Sequence, residues 1–487
     1  MRRRLTAMRV PRLRPVVVIA IVAFVNCAAW ALITPSFQAP DEPTHAAYAI
    51  ELAETGHPPS NTSTHAYASD EMSAFADGLG TFDMNQIATS TRPPWSKKRE
   101  RQYEKYIAAN PPRRKSGGGP SSAAVHGPVY YAFPALAYRI FYNASFASRM
   151  LAMRIASALL AALTVAFIYL TVRELAPRHP WAAAAAALLA AFQPMFGFIG
   201  GTINADVGVN LAGAILVYLL VRAMRRGLTL PLAIAIPATF ILGALAKATM
   251  LAFVPVLLFA LLVILWRRRW RWRDLAAMAA TAVVLAGIWA VVAPAWHHTF
   301  IPVPGGGGGV AGATPGFTAK LSYVWQVFFP PLPGMHHDFA PGVHPIWDIY
   351  VVRAWGSFGW LDVNFPHVMF VAIAIAMGLI VLLALRGLWL ERRLLRARIP
   401  EALVLLGSLI CVLGFTHAAF AKFNPAAAIQ EQGRYAFPAL VTLAVTGVVA
   451  CFGLGRRRAA LGGVAMVTTM MLLSGFAQLY VFSSYFT

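Results

Sequence analysis

Long apolar runs alternate with short basic ones along most of the chain. A membrane-spanning helix needs roughly 20 apolar residues, because the hydrocarbon layer is ~30 Å thick and a helix rises ~1.5 Å per residue. Eleven runs come near that length: 15–34, 150–172, 181–200, 206–223, 229–246, 250–266, 274–294, 368–389, 400–418, 434–453 and 459–482. The pattern predicts an all-α polytopic membrane protein of about 11 transmembrane helices. One more apolar stretch, 128–142, is short and contains Pro134 and Arg139. It reads as an interfacial helix lying on the outer leaflet.

Basic residues set the orientation, since short basic loops stay on the cytoplasmic side. The clusters are Arg2–Arg14, Arg173/Arg178, Arg222–Arg226, Arg267–Arg273, Arg386–Arg398 and Arg456–Arg458. They hold 24 of the 41 Lys and Arg residues against four acids, and eleven spans put all six on one face. Counting 128–142 as a span would scatter them over both faces. The expected layout is a cytoplasmic N-terminus (1–14), a first helix (15–34) and an extracytoplasmic loop with interfacial helices (35–149). Helices two to seven (150–294), a second extracytoplasmic loop (295–367) and helices eight to eleven (368–487) follow. The Arg-rich start and Ala28-Ala29-Trp30-Ala31 also have a signal-peptide look, but the apolar run is long for a signal core and favours a retained helix.

Composition narrows the function classes. Of 487 residues 58 % are hydrophobic and 12 % charged, the latter about half the ~25 % of soluble domains. A soluble enzyme is excluded. A formal charge of +22 would ordinarily suggest nucleic acid, but its clustering makes it a topology signal, and no nucleic-acid partner is expected. Cys27, Cys411 and Cys451 all sit in apolar runs, so neither a disulfide framework nor a C-x-x-C site is present. The basic loops are too short for a nucleotide-binding domain, and no G-x-x-x-x-G-K-[ST] occurs. The chemistry therefore belongs to the loop-rich face.

Four groups of residues stand out there. Pro40-Asp41-Glu42-Pro43-Thr44-His45 follows the first span; carboxylates at the membrane lip are partly desolvated, which favours a base. Pro43 suits a first helical turn, so the acids would equally serve as caps. Gly200-Gly201-Thr202-Ile203-Asn204-Ala205-Asp206 joins the third and fourth spans, and Asp206 is the sole acid between Glu174 and Asp274. A carboxylate at the edge of hydrocarbon is costly and marks a site, although Asn204 and Asp206 also suit a turn and cap. Lys247 and Arg434 are cations at outer helix ends, against the orientation bias; a phosphate group would explain them, as would snorkelling to headgroups. His126-Gly127-Pro128-Val129-Tyr130-Tyr131 precedes the interfacial helix, where Tyr130 fits a site or an interface belt. The pairs His297-His298 and His336-His337-Asp338 offer metal ligands without a recognised spacing.

Together these residues resemble the GT-C class of membrane glycosyltransferases: an acidic pair after the first span, a large loop ending in a Pro-Tyr-Tyr interfacial helix, and a second acid between the third and fourth spans. The motifs P-D-E-P-x-H, G-x-x-N-x-D and Q-G-R-Y more narrowly resemble a group of bacterial predicted membrane proteins related to that class. The resemblance implies an enzyme of the plasma (inner) membrane with an extracytoplasmic active face. Its donor would be a polyprenyl-phosphate sugar, and its acceptor an envelope glycan, lipid or protein. By the same resemblance Asp41, with Glu42 beside it, is the candidate general base and Asp206 the second catalytic acid. Lys247 and Arg434 would hold the lipid phosphate, with His45, His126, Tyr130 and Asn204 in substrate binding. His126 departs from the basic residue common before the Pro-Tyr-Tyr helix. The resemblance fixes no cofactor and leaves a divalent cation open, since the acid count fits use with or without a metal. A flippase for lipid-linked glycans is the alternative, but transporters favour midplane charges and repeated halves, neither of which this sequence has. An envelope-assembly scaffold is the third reading.

Overall fold

The protein is described here by a computed structural model, which covers residues 14–81, 94–296, 315–421, 429 and 431–487. Among the described residues nine helices are long and apolar enough to cross a membrane. In chain order the helices of interest are α1 (Pro15–Ile33), α2 (Glu42–Thr55), α3 (Asp70–Leu79), α4 (Lys97–Ala109), α5 (Ala132–Ile140), α6 (Phe146–Leu175), α7 (Pro180–Ala191), α8 (Pro194–Gly200) and α9 (Ala205–Arg226). They continue with α10 (Leu230–Ala246), α11 (Ala248–Trp266), α12 (Trp272–Ala295), α13 (Phe317–Phe328), α14 (His367–Leu390), α15 (Ile399–Phe420), α16 (Gly433–Gly453) and α17 (Ala459–Phe486). The only strands among the described residues form a two-stranded hairpin, Ser357–Phe358 with Val363–Asn364.

The protein is thus an all-α polytopic membrane protein, but eleven uniform spans are not what the chain forms. The expected span 181–200 is the broken pair α7 and α8, bent by 66°. Pro194 has no N–H to continue the helix, and the Gln193 side chain donates across to the Ala354 carbonyl (2.6 Å). The expected span 229–246 is α10, an apolar helix of only 17 residues.

Charged residues sort to the two ends of the bundle. At one end Glu174 pairs with Arg226 (2.7 Å), Glu401 with Arg267 (3.3 Å) and Glu391 with Arg456 (2.6 Å). The opposite end carries the four groups picked out from sequence. There α5 buries Pro134, Ala135 and Tyr138 and exposes Phe133, Leu136 and Ile140, an outward apolar face suited to a membrane interface. Its nine residues cover only ~14 Å, too little to span.

The thirty-residue α6 is the central strut, packing against α1 and α9. It brings Arg149 to Glu71 (2.6 and 3.0 Å), which ties α3 to the bundle, while Tyr138 of α5 donates to Glu54 of α2 (2.8 Å). Gly201 lets the turn before α9 lie directly on α1: a Cβ there would come within 2.5 Å of the Cys27 carbonyl oxygen and 2.7 Å of the Ala31 nitrogen.

Candidate functional site

Asp41 has positive φ (63°), the left-handed region that Asp tolerates better than most residues. That turn redirects the chain from α1 into α2. The Asp41 carboxylate does not cap α2; it accepts a hydrogen bond from Arg434 Nη2 (3.0 Å). Asp206, in the first turn of α9, has Oδ1 bonded to Lys247 Nζ and Oδ2 3.2 Å from Arg434 Nε. Asn204 is the cap, its side-chain oxygen accepting from the Asp206 N–H (2.9 Å). Four residues from four distant parts of the chain, Asp41, Asp206, Lys247 and Arg434, therefore form one alternating ionic cluster. The aromatic ring of Tyr435 lies under both cations, with Lys247 Nζ 5.2 Å and Arg434 Cζ 5.4 Å from its centroid.

The members differ in access. Asp41 is 43 % exposed at its side chain, Lys247 19 %, Asp206 5 % and Arg434 1 %. Arg434 Nη1 is buried with no hydrogen-bond partner among the described residues, and so is the Asn204 Nδ2 group. Buried donors left unmade are expensive, of order 1–3 kcal/mol each and more for a charged group. Such donors at a polar, partly open cluster are prepared for an anionic or hydroxyl-bearing ligand. Lys247 turns inward to Asp206, which its snorkelling alternative does not require.

His45 and His126 flank the cluster with parallel rings, 6.0 Å apart and 8° between planes. His45 Nδ1 is 2.6 Å from the Tyr131 hydroxyl. Burial, with the nearby Lys247 charge, pushes the His45 pKa down to about 3, and the same two causes hold His126 well below the usual imidazole range. Both rings are neutral at physiological pH and act as hydrogen-bonding groups rather than cations. Tyr131 stacks on Tyr48 at 3.6 Å, and the Tyr48 hydroxyl donates to the His126 carbonyl (3.0 Å).

Two sequence-chosen residues have different surroundings. Glu42 does not join Asp41. Its oxygens accept from Arg154 Nε (2.7 Å) and Nη2 (2.6 Å), and from the backbone N–H groups of Phe37 (3.1 Å) and Ile203 (3.2 Å). With 0 % exposure and both oxygens doubly bonded, it anchors the turn from α1 to the start of α9. Tyr130 likewise bonds Ser157 (2.7 Å) and accepts the Asn204 N–H (2.8 Å), holding the Asn204 turn in place. Sequence reasoning missed Arg154, and it gave Tyr435 no role beyond its place in the Q-G-R-Y motif. Arg154 carried a visible signal, a lone cation in the second apolar run. It also missed a second buried group: Glu431, hydrogen-bonded by Tyr323 and 3.5 Å from His417 Nδ1, with His417 Nε2 2.6 Å from the Tyr350 hydroxyl.

The donor set does not fit a divalent cation. Among the described residues no group of three or more His, Cys, Asp and Glu side chains is arranged to hold a metal, and Asp41 and Asp206 are already paired with cations. Asp338 of the expected His336-His337-Asp338 set accepts instead from Gln326 (2.7 Å). His297 and His298 lie outside the described residues.

Comparison with known proteins adds the following. No curated protein matches the chain in sequence. The chain is similar to the solved structure of ArnT from Cupriavidus metallidurans bound to undecaprenyl phosphate, at 13 % identity and TM-score 0.48, covering 97 % of this chain and 76 % of that one. It is also similar to an oligosaccharyltransferase from Archaeoglobus fulgidus in the apo form (12 %, TM-score 0.45, 96 % and 56 % covered). The archaeal oligosaccharyltransferase AglB of the same organism, in complex with an inhibitory peptide and a dolichol-phosphate, gives 12 %, TM-score 0.47, and 97 % and 56 % covered. The chain spans a little over half the length of those archaeal proteins. A family model described as predicted membrane protein (DUF2142) matches residues 24–443, and the chain belongs to that family.

Proposed function

We propose that this protein is a GT-C-type glycosyltransferase that moves a sugar from a polyprenyl-phosphate carrier to an envelope glycan, lipid or protein. One observation carries the reading: Arg434, buried in the bundle at the membrane's edge, holds an unbonded N–H between two carboxylates and beside Lys247. A lipid-borne phosphate is the ligand whose charge and depth match that arrangement.

The residues then divide the work. Asp41 has one oxygen on Arg434 and the greatest exposure of the cluster, so it is the carboxylate an acceptor hydroxyl can reach. It takes the hydroxyl proton as the acceptor oxygen bonds to the anomeric carbon. The bond from that carbon to the phosphate oxygen breaks, and its electron pair leaves with the phosphate. Arg434 and Lys247 meet the charge that develops there. Asp206 is a positioning residue that keeps both cations aimed. His45 and His126, being neutral, hold sugar hydroxyls by hydrogen bonds.

The clustering of basic residues at the opposite end of the bundle supports an extracytoplasmic site with the N-terminus in the cytoplasm. The test uses purified protein in nanodiscs with a panel of radiolabelled polyprenyl-linked sugars. Sugar release by the wild type that disappears in Asp41→Asn supports the reading. Release that survives in Asp41→Asn removes Asp41 as the base, and saturable donor binding without release by any donor argues for a flippase.

A further inference from the structure

We infer that the lipid donor carries a single phosphate and is used without a divalent cation, an inference that rests on the transferase reading above. The charge of the cluster carries it. Asp41 and Asp206 supply two negative charges, and Lys247 and Arg434 supply two positive ones. The set is neutral before any ligand arrives.

Two further guanidiniums among the described residues are engaged elsewhere. Arg154 spends its guanidinium on Glu42 and on the carbonyls of Ala31, Thr34 and Pro35. Arg353 donates through Nη1 to the carbonyls of Ile429 and Glu431, and the carboxylates that face its charge are Asp348 and Glu431, outside the four-residue set. His45 and His126 remain neutral in this setting.

A phosphodiester linking one phosphate to the sugar and the polyprenol brings one negative charge. When the sugar leaves, the phosphate becomes a dianion, while the acceptor proton neutralises Asp41. The site as a whole therefore stays at one negative charge from start to finish. The free donors of Arg434 and Asn204 suffice for one phosphate group. A diphosphate would bring two negative charges and keep both throughout, inside a buried setting where an unpaired charge is expensive. Enzymes faced with that load recruit a divalent cation, and here the carboxylates needed to bind one are the counter-ions of Arg434 and Lys247. Displacing them would free the cations but would also disable Asp41 as base.

The test needs no knowledge of the sugar. Bare polyprenyl monophosphate and polyprenyl diphosphate of equal chain length are titrated against the full-length protein in nanodiscs, once with EDTA and once with magnesium. In EDTA the monophosphate should bind roughly 100-fold tighter than the diphosphate, magnesium should leave its affinity unchanged, and Lys247→Gln and Arg434→Lys should both weaken it. Equal or tighter diphosphate binding, or monophosphate binding that requires magnesium, overturns the inference and leaves the transferase reading standing. Failure of both lipids to bind, with the protein folded by thermal unfolding, overturns the transferase reading itself.

Discussion

Removing the Glu42 carboxylate should damage the fold, whereas removing its neighbour's charge should damage only chemistry. In Glu42→Ala, Arg154 loses two charge-assisted hydrogen bonds at 2.6 and 2.7 Å, and the N–H groups of Phe37 and Ile203 lose their acceptor. Breaking a buried ion pair costs about 3–5 kcal/mol. Arg154 keeps the carbonyls of Ala31, Thr34 and Pro35, so the lower end, about 3 kcal/mol, is expected. At an unfolding entropy of ~2 cal/mol/K per residue, a chain of 487 residues would lose about 3 °C in midpoint. Thermal unfolding followed by size-exclusion of the soluble fraction measures this. A double-mutant cycle with Arg154→Ala should return a coupling of about 2–3 kcal/mol. A Glu42→Ala protein as stable as wild type, with Asp41→Asn the destabilised one, would refute the assignment of anchor and base.

Other predictions follow from the same geometry. Arg434→Lys keeps the charge but loses the planar fork that spans Asp41 and Asp206, and should weaken donor binding about tenfold or more; unchanged donor affinity would show that the fork is unused. The unfolded chain protonates His45 near pH 6.5, while the folded chain resists until about pH 3. The unfolded state thus binds the extra proton between those values, so stability falls as pH drops through 6.5. His45→Gln should flatten that limb of a stability-against-pH curve, and an unaltered curve would place the acid sensitivity elsewhere. Single cysteines at Thr62 and Arg113, in a Cys-free background, should react with an impermeant maleimide added outside intact cells; protection there would reverse the orientation.

Much of this arrangement was legible in sequence for a physical reason. Hydrocarbon imposes length and apolarity on every crossing helix, and an isolated charge at the edge of that layer stands out against the pattern. Asp41 and Arg434, 393 positions apart, were singled out separately on those grounds, and folding puts them in hydrogen-bond contact. Adjacent residues were harder to separate. Asp41 and Glu42 look alike as letters, but a helical turn sends successive side chains in different directions, one to Arg434 and the other to Arg154. The partner of Glu42 lies 112 positions away, beyond anything a local pattern reports. The break at Gln193-Pro194 was readable from the proline, yet an apolar run hides it when only length is counted. The Glu431, His417, Tyr323 and Tyr350 group arises wholly from packing between α13, α15 and the segments beside them.

The central claim is that Arg434 and Lys247 hold a lipid phosphate. A structure determined with polyprenyl monophosphate bound in a nanodisc tests it most directly. The account predicts phosphate oxygens within ~3 Å of the Arg434 guanidinium, with Lys247 turned to the same group and Asp41 left facing the acceptor side. A phosphate lodged elsewhere, with Arg434 still paired only with the Asp41 and Asp206 carboxylates, would contradict it.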